Sequence, residues 1–246
     1  MNFDFSNKTI IVTGATRGIG KKIAEDFYNL NANIIITGTT ELVNNSFFSK
    51  NTKRVKYYKV DFNKFDELLN FIDIINGIDS IYGLVNNAGI NILNSISEID
   101  GTDWLKMVNV NLSGPLMLMS AVSKKMMKSN LGKIVNISSI FGIISKEKRV
   151  AYSATKAGIH GMTQGASNDL AKYNILVNSI SPGFIKTDLT NKNLSKIQQQ
   201  ELSNIIPLKR LGEVTEISKL VIFLMSEHNT YITGQNIIID GGFTNV

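Results

Sequence analysis

The sequence predicts an α/β fold, a Rossmann-type doubly wound parallel sheet of seven strands flanked by helices on both faces. Three observations predict it. Short β-branched, apolar runs alternate with longer stretches of helical period. The strand runs are apolar throughout, the pattern of strands buried on both faces. The first strand leads at once into a glycine-rich turn that opens a helix.

The expected strands lie at 9–12, 34–37, 55–60, 81–85, 134–137, 176–180 and 236–239, and the expected helices at 19–30, 65–75, 104–129, 152–173 and 214–225. No linker, repeat or low-complexity stretch divides the 246 residues, so a single domain is expected over 1–246. Residues 184–211 break the alternation. They are polar and helix-prone, with Gln198, Gln199 and Gln200 in a row, and they part the sixth strand from the last long helix. An excursion of this length at that edge of a sheet is expected to be a substrate lid.

Composition narrows the function. Hydrophobic residues make up 43% and charged residues 19%, which describes a globular chain. The lack of cysteine excludes disulfides, thiolate metal sites and a cysteine nucleophile. His160 and His228 lie far apart, neither with a carboxylate at ligand spacing, so no metal is expected. The N-terminal residues lack a basic region followed by an apolar core, and no apolar run approaches the roughly 20 residues of a bilayer span. A cytoplasmic protein without membrane association is expected. The net charge of +6 is spread along the chain, and its densest group, Lys124, Lys125 and Lys128, reads as a solvated helix face. No nucleic-acid partner is expected; an acidic ligand or carrier protein would suit the charge.

The turn after the first strand reads Thr13-Gly14-Ala15-Thr16-Arg17-Gly18-Ile19-Gly20. Gly14 permits the tight turn, Gly18 lets backbone approach a pyrophosphate, and Gly20 allows close helix–strand packing, while Thr16, Arg17 and Ile19 complete the phosphate-binding loop. The helix that follows offers its positive end to the phosphates. The second strand ends Ile36-Thr37-Gly38-Thr39-Thr40, with no carboxylate before Glu41 to hold a ribose 2′-hydroxyl. Arg17 and the hydroxyls of Thr39 and Thr40 suit a 2′-phosphate, so NADP(H) is expected in preference to NAD(H).

Tyr152 and Lys156, four positions apart on an expected helix, share a face. A free tyrosine titrates near 10, and a neighbouring ammonium is expected to lower that value. Ser139 ends the fifth strand, thirteen residues before Tyr152, at the same edge of the sheet. It is placed to hydrogen-bond a carbonyl while Tyr152 transfers the proton.

The glycine turn, Asn86-Asn87-Ala88-Gly89, Asn111, Ser139, the Tyr152/Lys156 pair and Pro182-Gly183 occur in this order. Together they resemble the short-chain dehydrogenase/reductase family over essentially the full length. The resemblance implies catalytic roles. Tyr152 would be the general acid/base, Ser139 would polarise the carbonyl, and Lys156 would bind the nicotinamide ribose and lower the Tyr152 pKa. Asn111, preferred to Asn109, would hold a relay water. It also implies that Asp61 contacts adenine, that Asn87, Ala88 and Gly89 line the adenosine and ribose side, and that Ile185 and Thr187 hold the carboxamide. Within the family the chain most resembles bacterial 3-oxoacyl-(acyl carrier protein) reductases. Shared features are the start Met1-Asn2-Phe3, the glycine turn, the phrase from Pro182 through Thr187 to Asp188, and the ending Tyr231-Ile232-Thr233-Gly234-Gln235 with Asp240-Gly241-Gly242. The implied reaction is reduction of a 3-oxoacyl thioester. The chain departs from those reductases at Asn91–Ile96 and at Ser145-Lys146-Glu147-Lys148-Arg149. A reductase of sugars, polyols or other small secondary alcohols is the alternative, and a non-catalytic nucleotide-binding protein a remote one. The family implies a homotetramer paired through helices 104–129 and 152–173 and the last strand. Met117, Met119, Met126 and Met127 suit either that interface or the core.

Overall fold

The computed structural model describes residues 2–42, 46–51, 53–187, 190 and 195–245. Asp188 and the start residue Met1, both part of the motif comparison, lie outside the described residues, as do 188–189 and 191–194 of the expected lid.

Nine strands are present among them: β1 (Thr9–Val12), β2 (Asn33–Gly38), β3 (Val55–Lys59), β4 (Gly83–Asn86), β5 (Gly132–Ile137), β6 (Ile175–Pro182), β7 (Ile185–Lys186), β8 (Gly212–Glu213) and β9 (Asn236–Ile239). Seven form one parallel sheet in the order β3-β2-β1-β4-β5-β6-β9. The helices are α1 (Gly18–Asn29), α2 (Phe47–Lys50), α3 (Phe65–Asn76), α4 (Gly101–Val108), α5 (Gly114–Ser129), α6 (Val150–Leu170), α7 (Lys196–Ile205) and α8 (Val214–Met225).

The apolar strands are buried on both faces. Ile10, Val12, Ile34, Ile36 and Val135 pack with Ile23 and Phe27 of α1 and Ile217 and Val221 of α8. Ile11, Ile35 and Ile134 point the other way, against Leu68, Phe71 and Ile75 of α3 and Leu118, Val122 and Met126 of α5. Successive strand residues therefore feed two cores, one on each side of the sheet.

Two expectations change and one open alternative narrows. The helix expected over 104–129 begins earlier and is broken: α4 gives way to a π-helical turn, Asn109–Ser113, before α5. Pro115 has no N–H to offer the carbonyl of Asn111, its partner four residues back, so a regular helix cannot run through this point. Second, the methionine run serves the chain's own core. Met119 and Met126 are buried, and Met117 and Met127 pack against the same cluster. Third, the described part of residues 184–211, expected only as a polar, helix-prone excursion, includes a paired strand as well as a helix. β7 pairs in parallel with β8, with Ile185 opposite Gly212 and Lys186 opposite Glu213, and this ties the two ends of the excursion together. Between them α7 starts with a capping box, in which Ser195 Oγ accepts from Gln198 N–H (3.2 Å) and Gln198 Oε1 accepts from Ser195 N–H (2.9 Å).

Candidate active site

Several expected site residues follow directly on the C-terminal ends of the parallel strands: the glycine turn after β1, Thr39 after β2, Asn87–Gly89 after β4, Ser139 after β5 and Gly183 after β6. At the end of β1 the backbone of Gly14 and Gly18 is left-handed, at φ 62° and 56°. A Cβ on Gly14 would also come 2.8 Å from Ala88 Cα. Side chains stitch this turn to the end of β4. Thr13 Oγ1 accepts the N–H groups of Asn87 (2.9 Å) and Ala88 (3.0 Å), and Asn87 Nδ2 donates to the carbonyls of Thr13 (2.9 Å) and Gly14 (3.0 Å). Arg17, the extended residue before α1, makes no side-chain cap, and no acid lies in the first turn. The N–H groups of Gly18, Ile19 and Gly20 are thus left for a ligand. Across from them stands Thr187: a Cβ on Gly18 would meet only its side chain, at 3.8 Å. The glycine cradle, uncapped helix end and facing threonine fit the pyrophosphate of a dinucleotide.

Around this cradle, Thr16 is half-buried and Arg17, Thr39 and Thr40 are exposed. Glu41, the first carboxylate after β2, is paired with Lys59 at the end of β3 (3.1 Å). Asp61 is half-buried; its Oδ1 accepts the Asn63 N–H (3.0 Å) and its own N–H donates to Glu67 (2.8 Å). Pro182 ends β6, and Gly183 packs under Asp240, whose Cα a Cβ would approach to 2.7 Å. Ile185 is buried in β7, and Thr187 Oγ1 shares a hydrogen bond with Thr190 (3.0 Å).

The structure brings Asn111, Ser139, Tyr152 and Lys156 together. Asn111, in the π turn, is fully buried. Its Oδ1 accepts the Ile90 N–H (2.8 Å), and its Nδ2 donates to the Ile90 carbonyl (2.9 Å) and to Thr155 Oγ1 (3.1 Å). A Cβ on Gly89 would lie 3.4 Å from Lys156 Nζ and 3.5 Å from Asn111 Oδ1, so these groups border one space. Asn109 instead points away, towards Asn63 (3.5 Å). Ser139 Oγ accepts the Phe141 N–H (3.1 Å) and hydrogen-bonds the Tyr152 hydroxyl. Its neighbour Ser138 turns into the protein, donating to the Lys156 carbonyl (2.9 Å) and meeting His160 Nε2 (2.9 Å).

The direction differs from the expected one: burial pushes the Tyr152 pKa up, opposed by the Ser139 hydrogen bond and by the positive charge of Arg149. Lys156 Nζ donates to the Ile137 carbonyl (2.9 Å) and lies 5.7 Å from the Tyr152 ring centroid. Burial brings its own pKa down to about 8, which leaves it mostly charged at neutral pH.

Sequence reasoning missed several supporting groups. Thr13 and Thr155 are single hydroxyls with no motif to flag them. Arg149 was visible only as a departure from the family pattern. His160, expected on a helix face, is half-buried behind Ser138 and also within reach of Ser181 Oγ (3.2 Å). Among the described residues no cluster of metal-ligating side chains is found, and no helix is long and apolar enough to cross a membrane.

The family model described as enoyl-(acyl carrier protein) reductase matches residues 14–244. The chain is 39% identical to a 3-oxoacyl-(acyl carrier protein) reductase of Aquifex aeolicus, over 98% of this chain and 99% of that protein. It is 34% identical to an NAD-dependent glycerol dehydrogenase of Listeria innocua, over 99% and 96%. Among solved structures, a gluconate 5-dehydrogenase from Burkholderia cenocepacia, in complex with NADP and tartrate, superposes with a TM-score of 0.90 at 28% identity, covering 100% of this chain and 98% of that one. With its sheet order, glycine cradle and full-length likeness to these proteins, the chain belongs to the short-chain dehydrogenase/reductase family of oxidoreductases.

Proposed function

We propose that this protein is an NADP(H)-dependent oxidoreductase that reduces a 3-oxoacyl thioester, carried on an acyl carrier protein, to the 3-hydroxyacyl form. The observation that carries the reading is the meeting of Ser139, Tyr152, Lys156 and Asn111 beside the cradle formed by Gly14, Gly18 and Gly89. The relatives at 37–39% identity that bear the 3-oxoacyl reductase name support the substrate.

When bound, the nicotinamide nucleotide supplies or accepts hydride. The chain's residues do the rest. Ser139 Oγ accepts from Phe141, and its own hydroxyl, shared with Tyr152, would turn to the substrate oxygen when that oxygen enters between them. Tyr152, held protonated by burial, delivers a proton to that oxygen as the alcohol forms. Lys156 reaches the space under Gly89, where a ribose would sit, and Asn111 fixes the Ile90 backbone at its edge. Gly18, Ile19 and Gly20 would hold the pyrophosphate with Thr187 facing them, Asp61 the adenine, Asn87, Ala88 and Gly89 the adenosine and ribose side, and Ile185 and Thr187, with Pro182-Gly183 behind them, the carboxamide. Arg17 and Thr39 would take the 2′-phosphate. The pairing of Glu41 with Lys59 removes the nearest competing carboxylate and supports NADP(H). Residues 184–211 act as the lid, and the chain works as a cytoplasmic single-domain homotetramer.

A second reading, a dehydrogenase of a small hydroxylated substrate, is favoured by the likeness to the glycerol and gluconate dehydrogenases. One assay decides: acetoacetyl thioester, keto-sugars and sugar acids, each with NADPH and NADH. Thioester reduction faster with NADPH is the expected result, and turnover confined to the sugars would replace the first reading by the second. Tyr152→Phe should lower kcat by about 10²–10⁴ on the true substrate, the usual worth of a positioned proton donor.

A further inference from the structure

Three residues before Tyr152, Arg149 occupies the junction into α6 in the segment that departs from the family pattern. It is half-buried. Its guanidinium lies over the Phe141 ring, 4.8 Å from the centroid, and Phe141 in turn packs edge-on to Tyr152 with ring centroids 6.4 Å apart. Stacking of this kind fixes the plane of a guanidinium and leaves its N–H edge open. Among the described residues that edge meets no carboxylate and no hydrogen-bond acceptor. The charged neighbours Lys146, Glu147 and Lys148 are exposed, and Glu98 is influenced by Lys148 instead. A partly desolvated cation without a counter-charge is costly unless a ligand completes it. Five donors in a planar fork match a carboxylate.

We propose that Arg149, stacked on Phe141 beside Ser139 and Tyr152, is a carboxylate-binding residue that fits this site to small oxo and hydroxy acids. The inference rests on the oxidoreductase reading above and deepens its second form, a small hydroxylated substrate, because a 3-oxoacyl thioester carries no free carboxylate. For 3-oxobutanoate the carbonyl π bond breaks, hydride from NADPH forms the C–H bond, the proton from Tyr152 forms the O–H bond, and Tyr152, left as the phenolate, regains a proton from solvent. NADP⁺ and 3-hydroxybutanoate are released, with the carboxylate held on Arg149 throughout.

The alternative role for Arg149 is to cover Phe141 and bias Tyr152 by its charge. That role treats all substrates alike, so the test compares 3-oxobutanoate with its uncharged methyl ester. In Arg149→Gln the KM for the acid should rise roughly 10- to 100-fold, the worth of a hydrogen bond to a charged group, while the ester shows a much smaller change. Arg149→Lys, which keeps the charge and loses the fork, should fall between, and it decides if the glutamine variant does not fold. Equal losses on acid and ester, or no change on either, overturn the proposal. If no oxo compound is turned over, the oxidoreductase assignment of this substrate range fails separately. The subsite is then decided by calorimetric titration of 3-hydroxybutanoate into the protein with NADP⁺. Binding weakened at least about tenfold by Arg149→Gln supports it; equal binding, or none by the unaltered protein, overturns it.

Discussion

At the scale of single residues, the site holds its groups at an energetic cost. Lys156 has exchanged water for the Ile137 carbonyl, and its pKa falls from an ordinary 10.5 to about 8. A cation whose folded pKa lies below its unfolded one destabilises the fold at neutral pH, and this penalty fades as pH rises from about 8 to 10.5. The shift corresponds to on the order of 3 kcal/mol. Lys156→Met removes the charge but leaves the Ile137 carbonyl without its donor, which costs about 1–3 kcal/mol. The expected net gain is about 1 kcal/mol, or a melting temperature higher by roughly 2–4 °C at pH 7, with turnover lost. The difference from the unaltered protein should shrink in melts at pH 10. A lower melting temperature at pH 7 would show that the carbonyl contact outweighs the buried charge. Gly14 illustrates the opposite constraint: its left-handed φ and the nearby Ala88 Cα leave no room for a side chain, which the motif spacing alone made legible.

At the scale of elements, what could be read from sequence divides by the range of the interactions. Strands and helices with a local period, such as β1, α1, α3 and α8, lie within a few residues of their expected ends. The pairing of Tyr152 with Lys156 on α6 follows from helical spacing. Their electrostatic relation does not, because it depends on where Nζ comes to rest. The break at Asn109–Ser113 is hidden in the sequence because an apolar pattern runs through it. β7 and β8 are too short for any period; they exist because residues far apart in the chain meet. Beside that pair, Arg210 grips Glu216 through both carboxylate oxygens (2.8 and 2.7 Å), and Glu216 also accepts the Glu213 N–H (2.8 Å). These bonds hold the Glu216 pKa near 2, well below its ordinary 4.5. A carboxylate with a depressed folded pKa stabilises above its unfolded pKa and loses that contribution as pH falls towards the folded one. The β7–β8 pair should therefore loosen between about pH 4.5 and 2. Protection factors for hydrogen exchange at Ile185, Lys186, Gly212 and Glu213, corrected for the intrinsic rate at each pH, should fall over that range, and in Glu216→Gln they should already be low at pH 6. Uniform protection across the range would leave the ion pair without a role there.

At the scale of the molecule, the sheet order separates support from chemistry: two cores lie along the strands, and the site lies beyond their C-terminal ends. What this arrangement leaves over is apolar surface. Leu105 on α4 is 59% exposed and Leu116 on α5 53% exposed, while the edge strand β9 shows Ile238 at 40%. Edge strands with free backbone groups and large apolar side chains are places where further chains add. The helix pair and the last strand are separate faces of the molecule, which is what a tetramer with two kinds of interface requires. In analytical ultracentrifugation the protein is expected to sediment as four chains. Leu105→Glu with Leu116→Glu should reduce this to two, because a buried carboxylate without a partner opposes closure of the helix face. Ile238→Lys should reduce it to two through the other interface, and the triple variant to one. Both leucines and Ile238 are solvent-exposed within the chain, so circular dichroism at low temperature should be unchanged in every variant. A monomeric unaltered protein, or a tetramer indifferent to all three changes, would assign these surfaces to something other than self-association.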